Sequence, residues 1–191
     1  AGFNITCVGD SRTYSYLPSR NGNTISDLIA KHVLKWTYKN FKYYSWNERG
    51  SDERQYCAPG IDLPIATIMR SKYGCYPEYH TSLDKLGTVV TTKGLGGSYE
   101  VFTKVLNAIE KNFYPKYKIL GEPHLSKRNL YPTLSSKENY NNQNTKLLMN
   151  LLTYSDGTKS LLEIADICDV PIWDLYLLSE ILIKLKLIKK N

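Results

Sequence analysis

The spacing of hydrophobic and polar positions changes several times along the chain, and each change marks an element. Gly2 to Val8 alternates loosely and is rich in β-branched residues, which predicts a strand closed by a turn at Gly9-Asp10. Tyr14 to Tyr16 predicts a short strand before Pro18. Thr24 then stands as an N-cap with Asp27 at the third helical position, and Ile25, Leu28, Ile29, His32 and Val33 share a face of the helix that follows. His32 on that face reads as a packed helix residue rather than a ligand. Phe41 to Trp46 predicts another strand, and Leu63 to Met69 is a short continuous apolar run of the kind a strand buried on both faces shows. Val89 to Thr92 leads into a long helix to about Asn112, with Leu95, Tyr99, Phe102, Leu106 and Ile109 at helical spacing. Gly94-Leu95-Gly96-Gly97 follows no clear strand and lacks the spacing of a phosphate-cradling loop, so it reads as a helix start with close packing.

That order of elements predicts an α/β sheet with helices packed on it. From Tyr114 to Tyr140 the periodicity is lost among Pro115, Gly121, Pro123, Pro132 and a run of Ser and Asn, which predicts a linker. Lys137 to Asn144 is polar enough to be mobile. Helical spacing then resumes in three short segments: Lys146 to Thr153, a second helix capped by Ser160 and running through Ile167, and a third from about Ile172 to Leu185. Val170-Pro171 breaks the chain before the third helix, and Leu187-Ile188 reads as a short strand. Three short helices with a tight turn between the last two describe a winged helix-turn-helix. The expected division is an α/β domain over 1–118, a linker over 119–142 and a helical domain over 143–191.

Composition narrows the class. Hydrophobic content of 42% and charged content of 23% over 191 residues are those of a folded globular chain. No apolar run approaches the roughly 20 residues of a membrane-spanning helix. The four cysteines, Cys7, Cys57, Cys75 and Cys168, lie far apart, which argues against a zinc ribbon or a disulfide framework and makes cytoplasmic free thiols the expectation. Ala1 to Asp10 shows no basic, apolar leader and reads as a strand already under way, so a fragment of a longer protein is expected.

The net charge of +7 invites a nucleic-acid reading, but basic and acidic residues balance from Asn141 onward. The excess is scattered among tyrosines in the first 140 residues, as a solvated basic surface would be. The third helix begins Trp173-Asp174-Leu175-Tyr176-Leu177 and carries Glu180. Carboxylates there would repel phosphates, and no side chain offers bidentate base contacts, so a protein-interaction module is expected rather than a DNA reader.

The stretch from Arg49 to Asp84 packs charged, glycine and proline residues around the apolar run at Leu63 to Met69, as a loop-borne site beside a buried strand would. Within it His80 sits between turn-prone segments in company with Asp52, Glu53, Glu78 and Asp84. Such carboxylates can ligate a hard or borderline cation, or orient an imidazole through its second nitrogen.

Gly50-Ser51-Asp52-Glu53-Arg54, Pro59-Gly60, Leu63-Pro64 and Tyr79-His80-Thr81-Ser82-Leu83-Asp84 together resemble the C-terminal half of the clan MH zinc-dependent aminopeptidases. With Thr6-Cys7-Val8-Gly9-Asp10, Gly121-Glu122-Pro123 and Tyr154-Ser155-Asp156-Gly157, the chain is more closely similar to aminopeptidase-like proteins of bacterial polysaccharide-biosynthesis clusters, which end in a winged helix-turn-helix. The resemblance covers essentially the whole chain. It implies part of a three-layer α/β/α zinc-peptidase-like domain followed by a small winged helix-turn-helix domain, acting on a peptide or other amide substrate. It implies a zinc-ligand role for His80. Asp52 matches an aspartate of the family motif, but Glu53 stands where the family has histidine, and only Asp10 is available near the family's metal-binding aspartate.

The family's first histidine, bridging aspartate and general-base glutamate precede this region and have no counterpart in the chain. Zinc chemistry requires both a complete ligand set and a positioned base, so the polypeptide by itself is expected to be inactive. The alternative is a scaffold that keeps the peptidase fold without a full metal site. A partial sheet is also expected to expose an edge and an apolar face that a partner or second copy covers.

Overall fold

The structure, a computed structural model, describes residues 1–121, 123–128, 130 and 143–191. It divides into two units, Ala1–Ile109 and Glu110–Asn191. Glu122 of the Gly121-Glu122-Pro123 motif and most of the expected linker, including residues 137–142 of the segment expected to be mobile, lie outside the described residues.

Unit 1 is built on a mixed sheet of β1 (Gly2–Ile5), β2 (Ser15–Leu17), β3 (Lys42–Tyr43) and β4 (Ile65–Met69), in the order β1-β4-β2-β3. β4 is central because its run IATIM is apolar on both faces. It pairs parallel with β1, Gly2 opposite Ile65, and antiparallel with β2, Tyr16 opposite Ile68. Three expected strands are shorter than predicted, β4 only by Leu63 and Pro64 at its start. β1 stops at Ile5 because Cys7 turns the chain with φ of 47°. Only Lys42–Tyr43 of the Phe41 to Trp46 segment pairs, since Ser45 caps a 3-10 turn over Trp46–Glu48 and draws the backbone out of the ladder.

α1 (Ile25–Thr37) begins where the pattern predicts, with a Thr24/Asp27 capping box. Its inward face is rotated from the expected one: Ile29, Ala30, His32, Val33 and Leu34 are buried, whereas Ile25 and Leu28 sit nearer the rim. Asp27 does more than cap. Its buried carboxylate accepts from the Tyr16 hydroxyl (2.7 Å), the Ser19 amide (2.8 Å) and the Thr24 amide (2.9 Å) and hydroxyl (2.6 Å). Burial pushes this carboxyl up, but the hydrogen bonds from Ser19, Thr24 and Tyr16 outweigh it and hold the group below its ordinary value. α2 (Glu53–Tyr56) is a single turn between the sheet and the next loop.

α3 (Thr92–Lys111) follows the predicted span but not the expected packing side. Its buried positions are Gly94, Ser98, Val101, Val105 and Ala108, whereas Leu95, Tyr99 and Leu106 are exposed. The reason is distance. A Cβ on Gly94 would lie 1.9 Å from the Gly9 carbonyl oxygen, and one on Gly97 would lie 2.4 Å from the Tyr14 hydroxyl. Only small side chains admit so close an approach, which is why the glycine-rich start packs rather than cradling a phosphate.

Unit 2 contains α4 (Gln143–Tyr154), α5 (Leu161–Ile167) and α6 (Ile172–Lys184), with a small sheet of β5 (Pro115–Tyr117) and β6 (Ile188–Lys190). The predicted helices are all present, and Leu151, Leu161, Leu162, Ile164, Ile172 and Leu175 fill their core. Ser160 and Glu163 form the capping box of α5, as expected of the Ser160 cap. Pro115–Tyr117, assigned from sequence to the first domain, pairs antiparallel with β6 in this unit, Lys116 opposite Lys189. Asp169, with φ of 50°, makes the tight turn between α5 and α6.

Two outcomes follow. Gly94→Ala should destabilise the chain by about 1–3 kcal/mol through overpacking, whereas Gly96→Ala, where a Cβ meets nothing within 4 Å, should be neutral or stabilise by up to about 1 kcal/mol; paired urea melts decide. Asp27 has a depressed folded-state value, so its contribution is fully present above the unfolded carboxyl value of about 3.9 and is lost as pH falls through the folded one. Asp27→Asn should therefore lower stability at pH 7, with the gap from wild type narrowing when the melts are repeated below pH 3.

Candidate functional site

The loops that leave the C-terminal ends of the parallel pair β1 and β4 enclose a cleft of about 280 Å³, lined by Cys7 to Asp10, Tyr76, Tyr79, Asp84, Val89, Val90 and Leu95. Open α/β sheets bind ligands at strand ends of this kind. One side is backbone at the end of β1. It is held down by the Thr91 amide donating to the Gly9 carbonyl (2.9 Å) and by the Ser98 hydroxyl donating to the Val8 carbonyl (2.7 Å). Gly9 is needed there, since a Cβ would meet Val90 at 2.7 Å.

The opposite side is aromatic. The rings of Tyr76 and Tyr79 meet edge to face at 5.6 Å, and the Tyr76 hydroxyl donates to Asp84 Oδ2 at 3.0 Å. It also lies 3.8 Å from Cys7 Sγ. Burial, then the Asp84 hydrogen bond, pushes the Tyr76 phenol far above its ordinary value, so it stays protonated as a donor. Arg12 ties this loop to the strand end through Glu78 at 2.8 Å, with its guanidinium 5.7 Å from the Tyr76 ring centre. An exposed pair of that kind orients the loop more than it stabilises it.

The four residues proposed from sequence as metal ligands have unlike environments. Asp10 lines the cleft but its carboxylate is engaged: Oδ1 accepts from the Arg12 amide (2.8 Å) and the Ser71 hydroxyl (2.9 Å), and Oδ2 from the Ser71 amide (2.7 Å). Its carbonyl oxygen accepts from Arg70 Nε at 2.7 Å, and that guanidinium lies over the Tyr14 ring at 3.7 Å. Glu53 is fully buried. Oε1 accepts from the Gly50 and Ser51 amides (both 2.9 Å) and the Tyr73 hydroxyl (2.8 Å), and Oε2 from Asn4 Nδ2 (2.7 Å). Burial raises this carboxyl, but the Ser51 and Gly50 amides and the Tyr73 hydroxyl bring it below its ordinary value. Gly50 admits the Tyr73 ring, which a Cβ would meet at 2.7 Å. Asp52 is exposed beside α2 and makes no capping bond. His80 is exposed, with φ of 58°, and its ring stacks on Tyr79 at 4.0 Å.

Among the described residues no group of three His, Cys, Asp or Glu side chains could hold a metal ion. The donor set explains this: two of the four candidates spend their oxygens on neighbouring amides and hydroxyls, and the other two face solvent. The described residues by themselves therefore do not fit a catalytic zinc, which needs three protein ligands and an open position. Sequence reading missed Cys7 and Tyr76 as cleft residues. The signal available was the repeated aromatic in Tyr76-Pro77-Glu78-Tyr79, unusual for a solvated turn.

Residues 1–112 match the model of a family described as "Domain of unknown function (DUF4910)", and residues 112–190 match that of a winged helix-turn-helix family. A Clostridium acetobutylicum protein named "Putative polysaccharide biosynthesis protein with aminopeptidase-like domain" is 36% identical over 165 residues, covering 86% of this chain and 37% of the relative. A solved chain from the same organism, described as a "putative peptidase", superposes with a TM-score of 0.86 at 30% identity, covering 100% of this chain and 42% of that one. The chain thus spans well under half the length of these relatives. The expected aminopeptidase-like and winged helix-turn-helix resemblances are met. No helix among the described residues is long and apolar enough to cross a membrane.

Glu53→Gln replaces an acceptor of four bonds with a side chain half of which can only donate. It should cost about 2–3 kcal/mol, whereas His80→Ala at its exposed site should change stability by under about 0.5 kcal/mol. Urea denaturation of both variants reads the contrast.

Proposed function

We infer, for a chain that belongs to the DUF4910 family, that it forms one wall of a peptidase-like amide-hydrolase site of the clan MH kind, in a polypeptide serving bacterial polysaccharide assembly. The observation that carries this is the joint one of peptidase-like fold and engaged carboxylates. The chain aligns along its whole length with a peptidase-described structure, yet Asp10 and Glu53 are given over to holding loops. In this reading unit 1 is part of a three-layer α/β/α domain. The zinc ligands and the base that activates water come from elsewhere in a longer polypeptide, with His80 the residue here best able to reach a metal. A peptide or other amide would enter the cleft between the strand end and the Tyr76-Tyr79 wall. No step of hydrolysis is assigned to this chain, and its residues position loops and shape the cleft.

The engaged state of Asp10 and Glu53 also supports a second reading, in which the fold survives as a scaffold in surface-polysaccharide assembly. Unit 2 suits protein contacts better than nucleic acid, because α6 exposes Asp174, Leu177 and Glu180 where a reading helix needs cationic or amide side chains. A cytoplasmic setting accords with four unpaired cysteines.

The purified 191-residue chain is expected to retain substoichiometric zinc after dialysis against a chelator and to leave aminoacyl amides uncleaved. Stoichiometric, chelator-resistant zinc together with amidase activity overturns the inference. Fluorescence anisotropy with random DNA should show no salt-sensitive binding at micromolar protein.

A further inference from the structure

Counted along the chain, basic and acidic residues balance beyond Asn141, but folding separates them. In unit 2 the pairing of β5 with β6 brings Lys116 and Lys118 beside Lys184, Lys186, Lys189 and Lys190, and all six are exposed. Lys116 stands directly opposite Lys189 in register, where like charges repel. No ion pair among the described residues neutralises any of the six. The carboxylates that border this wing are Asp156 and Glu180. Asp156 Oδ1 accepts from the Thr158 amide (2.7 Å) and hydroxyl (2.6 Å), and Glu180 shares a small pocket with Lys190. Six ammonium groups against two carboxylates leave the wing strongly positive. It also carries apolar side chains in water. The Lys118 amide donates to the Leu187 carbonyl (2.9 Å), so Leu120 and Leu185 leave the ladder at the same end, and both are exposed, Leu120 completely. Lysines alone would serve to keep the β6 edge from pairing with other strands. Leucines at its end would not.

We propose that the wing of unit 2 is a peripheral membrane-docking surface. Its lysines sit at the headgroups of an anionic leaflet and Leu120 and Leu185 enter among them, so that the chain lies on a bilayer without crossing it. The occupant follows from the two features together. Lipid headgroups supply phosphate to point charges that lack the bidentate fork of arginine, and the boundary of the acyl region takes aliphatic side chains. A nucleic acid offers the first and not the second, and the exposed carboxylates of Asp174 and Glu180 on α6 would repel its phosphates.

Co-sedimentation of this chain with vesicles tests the proposal. The chain should pellet with vesicles of equal parts phosphatidylglycerol and phosphatidylcholine, stay in solution with phosphatidylcholine alone, and be released from the anionic vesicles by salt. Lys118→Gln combined with Lys189→Gln should weaken partition on the order of 25-fold, roughly fivefold per lysine. The melting midpoint of that variant should hold or rise, because the repulsion at Lys116 is relieved. Leu120→Ser should weaken partition by about tenfold at unchanged charge. Equal pelleting with both kinds of vesicle, or with neither, overturns the proposal. So does full binding by the lysine variant, which would put the contact elsewhere on the chain. If Leu120→Ser leaves vesicle binding intact, the proposal fails as stated, and displacement from the vesicles by random DNA at the same salt would then identify the wing as a nucleic-acid surface.

Discussion

Buried carboxylates whose oxygens are all spoken for hold unit 1 together. Asp27, Glu53 and Asp10 each sit out of water and each accept at least three hydrogen bonds from amides and hydroxyls nearby. A bare carboxylate in such surroundings would cost several kcal/mol. Because the donors come from different segments, each group ties loops together: Asp27 joins β2 and the turn at Ser19 to the start of α1, Glu53 joins β1 to the loop at Gly50 and to Tyr73, and Asp10 joins the end of β1 to the residue after Arg70. The cleft between the strand end and the aromatic loop takes its shape from these ties.

Much of this order is written in local pattern. The Thr24/Asp27 box and the Ser160 cap are visible from residue type and spacing, and the run at Leu63 to Met69 announces a strand buried on both faces. The packing side of α3 was not legible, because hydrophobic spacing pointed to Leu95, Tyr99 and Leu106. The true contact is set by how near Gly94 must come to Gly9, a distance between residues far apart in the chain. Nor was the fate of Asp10 and Glu53. A carboxylate near a histidine reads equally well as a ligand or as a loop anchor until its donors are known, and backbone amides such as those of Gly50, Ser51 and Ser71 leave no trace in residue type.

The winged unit shows the same division. Its three helices and the Ser160 cap follow from periodicity, but the partner of its last strand does not. Pro115–Tyr117 stands on the far side of a polar stretch from β6 and begins with a proline, and pairing across such a separation is decided by tertiary contact rather than local preference.

The engagement of Asp10 has a thermodynamic corollary. Any cation that claimed its carboxylate would compete with the Arg12 amide and with both donors of Ser71, so binding and the local loop structure would be negatively linked. The free energy of opening that turn would be subtracted from the intrinsic affinity, and the observed affinity would fall with the population of the opened form. Mutations that loosen the turn at Ser71 would then strengthen cation binding while weakening the fold, a trade of stability for function.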